Sequence, residues 1–174
     1  SGLTYYPGTG LPEAFDDAFL LVDFRGGASN SGIHSLKNKP KGASFELVEE
    51  KEVVANILPT DVEFGYTGGF YFTSWVAGWE PLKQGRIYHV FDPTVAKGPL
   101  VAETRKLMAE GMGGRKAEEL VRLLAHPDIR VRQAAQFELA DKAEVAALVP
   151  AAQRNESRLA RLHAIWGLGQ IGRR

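Results

Sequence analysis

Four histidines, His34, His89, His126 and His163, are the side chains of this chain best suited to proton transfer or metal binding near neutral pH. None is spaced from another by the i, i+4 interval of a helical metal pair, and no His-Glu-x-x-His or Gly-x-Ser-x-Gly occurs. The 174 residues contain no cysteine, which excludes disulfides, thiolate zinc sites and covalent haem attachment within this chain. Gly8-Thr9-Gly10 is too short for a phosphate loop and lacks the helix that should follow. Twenty-one Lys+Arg against 21 Asp+Glu give a formal net charge of zero, which argues against a nucleic-acid partner. The charge run Glu49-Glu50-Lys51-Glu52 reads as a solvated turn. Ser1-Gly2-Leu3 does not begin a signal peptide, and no apolar run reaches the ~18 residues of a membrane span. No catalytic residue and no metal-ligand set is assigned on these grounds.

The elements that would position any site change character near residue 93, so the fold class expected is α+β. Residues 1–92 read as antiparallel β. Candidate strands are 19–24, 32–36, 44–48, 61–64, 70–75 and 86–90, with turns at Gly26-Gly27, Asn38, Pro40, Gly42 and Gly68-Gly69. A unit of two strands recurs. Ala18–Phe24 with Gly32–Leu36 matches Gly69–Trp75 with Gly85–Val90, at an interval of about 50 residues, the length of one propeller blade. A pair of hairpins in a small sandwich would carry the same pattern. Two blades cannot close a ring of four or more, so the propeller reading expects further blades in a longer parent chain. Trp75 and Trp79 flank a loop that would line the mouth of a propeller pocket, where aromatic platforms suit sugar rings, although a Trp beside a strand also serves as core.

Residues 93–174 read as helices. Pro99 opens one carrying Leu100, Leu107 and Met108, stopped by Gly111, Gly113 and Gly114. A second spans 117–125, and Asp128 caps a third over 129–140. A fourth runs from about 142 to 153 with Val145, Leu148 and Val149 inward, and Asn155 or Ser157 caps the last. Arg132, Ala135, Phe137 and Leu139 recur in step as Arg161, Ala164, Trp166 and Leu168. A helix pair repeating at this length suggests a HEAT-like solenoid, with the alanines allowing close approach and the aromatic residues filling the layer between helices. A plain helical bundle using the same apolar stripe is the alternative.

The segment Leu3-Thr4-Tyr5-Tyr6-Pro7-Gly8-Thr9-Gly10-Leu11-Pro12 resembles the end of the propeller in large bacterial membrane-bound dehydrogenases of the planctomycete–verrucomicrobial haem-binding type. So do Phe24-Arg25-Gly26-Gly27, Asn30-Ser31-Gly32-Ile33-His34-Ser35, Lys39-Pro40-Lys41-Gly42-Ala43-Ser44-Phe45, Gly85-Arg86-Ile87-Tyr88 and Phe91-Asp92-Pro93. His126-Pro127-Asp128-Ile129-Arg130-Val131-Arg132 with Gln136-Phe137-Glu138-Leu139-Ala140 resembles the first HEAT segment of that family. The resemblance covers nearly the whole chain.

It implies a propeller like that of sorbosone and glucose dehydrogenases that use pyrroloquinoline quinone (PQQ) and calcium, followed by HEAT-like repeats. A c-type cytochrome domain with haem lies outside this chain. The implied role is periplasmic or exported oxidation of a sugar or alcohol, with the remaining blades and the cytochrome domain as partners. Arg25 stands where those enzymes place a quinone-contacting lysine, and its planar guanidinium could grip a carboxylate or carbonyl. It could equally pair with Asp23 or Asp61. Leu58 and Thr60 occupy positions where the relatives carry arginines, and Thr67-Gly68-Gly69 and Ser74 replace an Asp-Gly turn and a strand Asp. These departures weaken quinone and calcium binding. The alternative expectation is a non-catalytic propeller and solenoid module that binds a protein or polysaccharide, or dimerises through an open sheet edge.

Overall fold

The computed structural model describes residues 2–76 and 83–173. The fold is mixed α+β, with two small antiparallel sheets and five helices among the described residues. The chain divides into two compact units, residues 1–101 and 102–174.

In the first unit, β1 (Leu3–Tyr5), β2 (Ala18–Asp23), β3 (Gly32–Lys41) and β4 (Ser44–Ala55) form one meander in that spatial order. A second meander comprises β5 (Pro59–Phe64), β6 (Phe70–Ser74) and β7 (Arg86–Val90). Among the described residues neither sheet closes on itself. Strand β1 escapes a pattern reading because so short a strand cannot display alternation, and Leu3 and Tyr5 are exposed.

Two assignments made from sequence are corrected in β3 and β4. Asn38 and Pro40 lie inside β3, paired with Leu47 and Phe45, and the chain turns instead at Gly42, whose φ is +61°. Pro40 is tolerated because β2 pairs with β3 only as far as Lys37, so beyond that point no neighbour needs the missing N–H. Glu49-Glu50-Lys51-Glu52 is not a turn but the middle of β4, a sheet edge on which charge discourages pairing with other chains.

Alternation decides the core. Leu20, Val22 and Ile33 of the first sheet meet Val62, Phe64, Phe70 and Phe72 of the second, with Tyr6 and Leu11 alongside. Tyr6 and Phe64 meet edge-on at 5.5 Å, and Phe72 stacks on Tyr88 at 4.9 Å. The Tyr6 hydroxyl donates to the Leu11 carbonyl at 2.9 Å, which keeps a buried polar group satisfied. Gly10, at φ +104°, accepts a hydrogen bond from the Gly69 N–H at 3.0 Å, and a Cβ there would meet Gly68 at 2.9 Å. The Gly8-Thr9-Gly10 segment is therefore a close-packed loop.

The sequence repeat falls on the second and third strands of the first meander and the last two of the second. Leu20 and Val22 correspond to Tyr71 and Thr73, and strand pairing, one residue out of step with the Gly32–Gly85 match read from sequence, makes their cross-strand partners Ser35 and Ile33 equivalent to His89 and Ile87. The first sheet meets the second through Leu20 and Val22. The second meets the first through Phe70 and Phe72, which correspond to Phe19 and Leu21 on the opposite face. The face of the first sheet that the second covers is therefore equivalent to the uncovered face of the second. Ile33 is 0% exposed and Ile87 is 74% exposed.

In the second unit, α1 (Pro99–Glu110, which begins at the end of the first unit) precedes α2 (Ala117–Leu123), α3 (Ile129–Asp141), α4 (Val145–Arg154) and α5 (Arg158–Ile171). Helix α3 packs on α5 and α2 on α4, two helix pairs stacked in register. Asp128 caps α3 by accepting from the Arg130 N–H at 2.8 Å, and its counterpart Ser157 caps α5 by accepting from the Ala160 N–H at 3.3 Å. Ala135 and Ala164 are fully buried. Phe137 and Trp166 do not fill the layer between helices, contrary to expectation; both are about half exposed, because each stands two residues, about 200° of helix, from its buried alanine and so points to the other side. Of the three α4 residues expected inward, Leu148 alone is buried, while Val145 and Val149 face outward.

Candidate functional site

Two polar clusters stand out, one in each unit. The first lies where β2 ends. Asp23 closes the strand, Phe24 follows, and Arg25 enters a loop that Ser31 fastens. The Ser31 hydroxyl accepts from the Arg25 N–H at 2.8 Å and donates to the Gly27 carbonyl at 2.6 Å, so it is not available as a nucleophile. Arg25 Nη2 lies 2.7 Å from Asp23 Oδ2. This hydrogen bond, and then the Asp23 charge, raises the Arg25 pKa above its ordinary value, and the guanidinium stays charged. Asp23 Oδ2 is also 3.7 Å from His34 Nε2, and Glu50 Oε1 is 3.1 Å from His34 Nδ1. The Glu50 approach is close enough for ion pairing of a protonated ring but lies off hydrogen-bond geometry, since Nδ1 has no hydrogen-bond partner among the described residues.

Beside this cluster, at the corresponding end of β6, the Trp75 ring lies 6.1 Å from that of Phe24. The Trp75 N–H is anchored on the Leu58 carbonyl at 2.9 Å, and the next residue, Val76, has φ +69°. The structure thus brings Arg25 and Trp75 to one rim, each just past the end of a repeated strand, joined through the Phe24–Trp75 contact. Trp79 lies outside the described residues. Of the two partners weighed for Arg25, Asp23 is the one it takes. His34 and Glu50 join the cluster only through the β3–β4 register, which no local pattern announced.

The arrangement offers an exposed guanidinium paired with Asp23 and, through the neighbouring Phe24, a partly exposed Trp75 ring, groups suited to a carboxylate-bearing or polar ligand. It lacks the further cations that the resemblance expects around a quinone. Leu58 is buried in the core and Thr60 is bonded through its hydroxyl to Thr73 at 2.7 Å, so neither position supplies a cation. Ser74 accepts from the Val76 N–H, and among the described residues no three His, Asp or Glu side chains assemble as metal ligands for a calcium ion. The remaining strand histidine, His89, is held structurally. Its Nε2 lies 2.8 Å from the Gly68 carbonyl, and its ring stacks on Tyr71 at 4.2 Å and Phe91 at 4.8 Å.

The second cluster is buried between α3 and α5. Arg132 Nη1 donates to the carbonyls of His126 and Pro127, both at 2.6 Å, and its Nε donates to His163 Nε2 at 3.2 Å. Because His163 Nε2 accepts, Nδ1 carries the proton and donates to Gln136 Oε1 at 2.7 Å; Gln136 Nε2 then donates to Gln170 Oε1 at 2.9 Å. Burial, and then the Arg132 charge, depresses the His163 pKa to about 4. Burial also lowers His126, whose Nδ1 accepts from the Asp128 N–H. Arg161 reproduces half of this pattern one repeat later, with Nη1 on the Asn155 and Glu156 carbonyls at 2.6 and 3.1 Å. The recurrence of the arginines was visible in sequence; the His163–Gln136–Gln170 chain was not, because its members come from different repeats. This cluster is a buried structural layer, satisfied except at His126 Nε2, which has no hydrogen-bond partner among the described residues.

The sequence matches no protein-family model and no curated protein, and the fold matches no solved structure.

Proposed function

We propose that this chain is a non-catalytic segment of a larger exported protein, in which the two sheets act as successive wedges of a propeller-type ring and the helix pairs as successive turns of a HEAT-like solenoid. The observation that carries this reading is the pairing of covered Ile33 with uncovered Ile87 at equivalent positions of successive sheets. A face of that kind, apolar at Ile87 and Phe91, calls for a neighbouring sheet. Both sheets are simple meanders with their first strands side by side, joined by the Thr4 Oγ1–Glu63 Oε1 hydrogen bond at 3.0 Å, as neighbouring wedges around a centre require. In this reading the chain's role is to hold partner elements, and its rim binds a polysaccharide or polypeptide. Glu49, Glu50 and Glu52 guard the β4 edge, so sheet-edge pairing with a second copy is not part of the proposal.

The Arg25–Trp75 rim favours a second reading, in which the parent is a periplasmic PQQ-dependent sugar or alcohol dehydrogenase and Arg25 contacts the quinone. Calorimetric titration of the chain with PQQ and calcium, alongside an oligosaccharide array, separates the two. The non-catalytic reading expects no saturable quinone binding and glycan binding that survives Arg25→Ala. Saturable quinone binding that Arg25→Ala abolishes would replace it with the dehydrogenase reading.

A further inference from the structure

The helix pairs obey the same rule of successive covering, and here the repeat is strict enough to read position by position. In the first pair, Leu120 of α2 is 0% exposed and Gln136 of α3 is 5% exposed, because α4 and α5 lie over them. Their counterparts in the second pair are Val149 and Ile165, 38% and 53% exposed. Ala140, buried in α3, corresponds to Gly169, around whose Cβ position nothing lies within 4 Å. Gly167, on the opposite side of α5, is by contrast already tight, with a Cβ there meeting Leu148 at 3.3 Å. Helix α5 therefore has one face used and one face free, and the free face is built like the face of α3 that α5 covers. Gln153 and Arg158 stand where the first pair has Leu124 and Ile129, so the free face is apolar at its centre and polar near the α4–α5 connection.

We propose that the outer face of α4 and α5, centred on Val149, Ile165 and Gly169, is the docking surface for one further helix pair of the same build, carried in the same chain and joined as α4 is joined to α3. The occupant follows from continuity with the interface already present. An element that fits over Leu120, Gln136 and Ala140 is an α4–α5 pair, so the repeated face calls for another such pair. An apolar surface of this shape, with a small residue at its centre, suits helix-on-helix packing.

Splicing a second copy of residues 144–172 directly after Gly172 tests this while retaining register. Hydrogen exchange is expected to show at least tenfold greater protection of the α5 amides in the extended chain than in the original. Val149→Glu with Ile165→Glu in the first copy is expected to abolish that gain. The same pair of changes in the unextended chain should leave its protection unaltered, since both residues are exposed there. An added segment that exchanges freely and confers no protection would overturn the proposal. So would sedimentation of the original chain as a dimer in which α5 is already protected, because a second copy would then be the occupant.

Discussion

The sheet unit and the helical unit are both built from two copies of a small element, the first covered by the second, yet they keep their repeats with different fidelity. The helix pairs hold a single offset through caps, core alanines and the carbonyl-binding Arg132 and Arg161. The sheets hold one offset from Leu20 to Tyr71 and a longer one from Ile33 to Ile87. The difference is physical. An arginine that must reach two carbonyls at the turn preceding its own helix tolerates no insertion, and a cap must sit at the residue where a helix begins. A sheet is registered by pairing between strands, so residues added to a loop change the offset without disturbing the ladder.

That comparison can be broken at several points. The largest effect is expected in the sheet core, where Phe70 joins both sheets. Phe70→Ala should destabilise the first unit by about 4 kcal/mol. Phe19→Ala, at the equivalent but half-buried position, should cost about 2 kcal/mol, both read from denaturant midpoints. Equal losses would mean that the two sheets are not inequivalent in burial.

The helical unit sharpens the same contrast. Arg132→Ala strands two carbonyls and His163 Nε2 and is expected to cost about 3 kcal/mol, whereas Arg161→Ala strands two less buried carbonyls and should cost about 1 kcal/mol. Denaturation followed by far-ultraviolet circular dichroism measures both, and a larger loss at Arg161 would contradict the buried layer.

Acid provides the next test. His163 is depressed to about 4 in the fold against about 6.5 unfolded, so the unfolded chain binds the extra proton between those values. Stability is complete above about pH 6.5 and should fall by on the order of 2 kcal/mol as the pH drops towards 4. His126, lowered by burial, adds to the loss in the same direction. His163→Gln should flatten this dependence in thermal melts, and an unchanged slope would remove His163 as its source.

The smallest expected effect is a gain. Thr104 Oγ1 is buried with no hydrogen-bond partner among the described residues, so Thr104→Val should stabilise the helical unit by about 1 kcal/mol in the same melts.

Much of the framework was legible in the chain itself. The six longer strands, the five helices, the cap Asp128 and, of the two caps offered for the last helix, Ser157 follow from alternation, helical period and cap chemistry, all of which act between near neighbours. Legibility ended where a residue's role depends on a distant partner. Asn38 and Pro40 carry turn-like chemistry but lie in β3, because the β3–β4 ladder extends past the reach of β2, and Glu49-Glu50-Lys51-Glu52 lie in β4, held by pairing with residues 34–37 of β3. Of the rim, Arg25 and Trp75 were singled out from sequence, while the grouping of Phe24, His34 and Glu50 around them was not, since only strand register assembles them.

Local covalent order alone determined where this polypeptide bends, which stretches extend or coil, and that two kinds of element each occur twice, because those properties depend on backbone sterics and contacts a few residues apart. Tertiary structure decided which side of each element is covered. Val149, Ile165, Trp166 and Ile87 are as apolar as residues of the core yet face outward, because burial depends on whether another layer of chain lies above them.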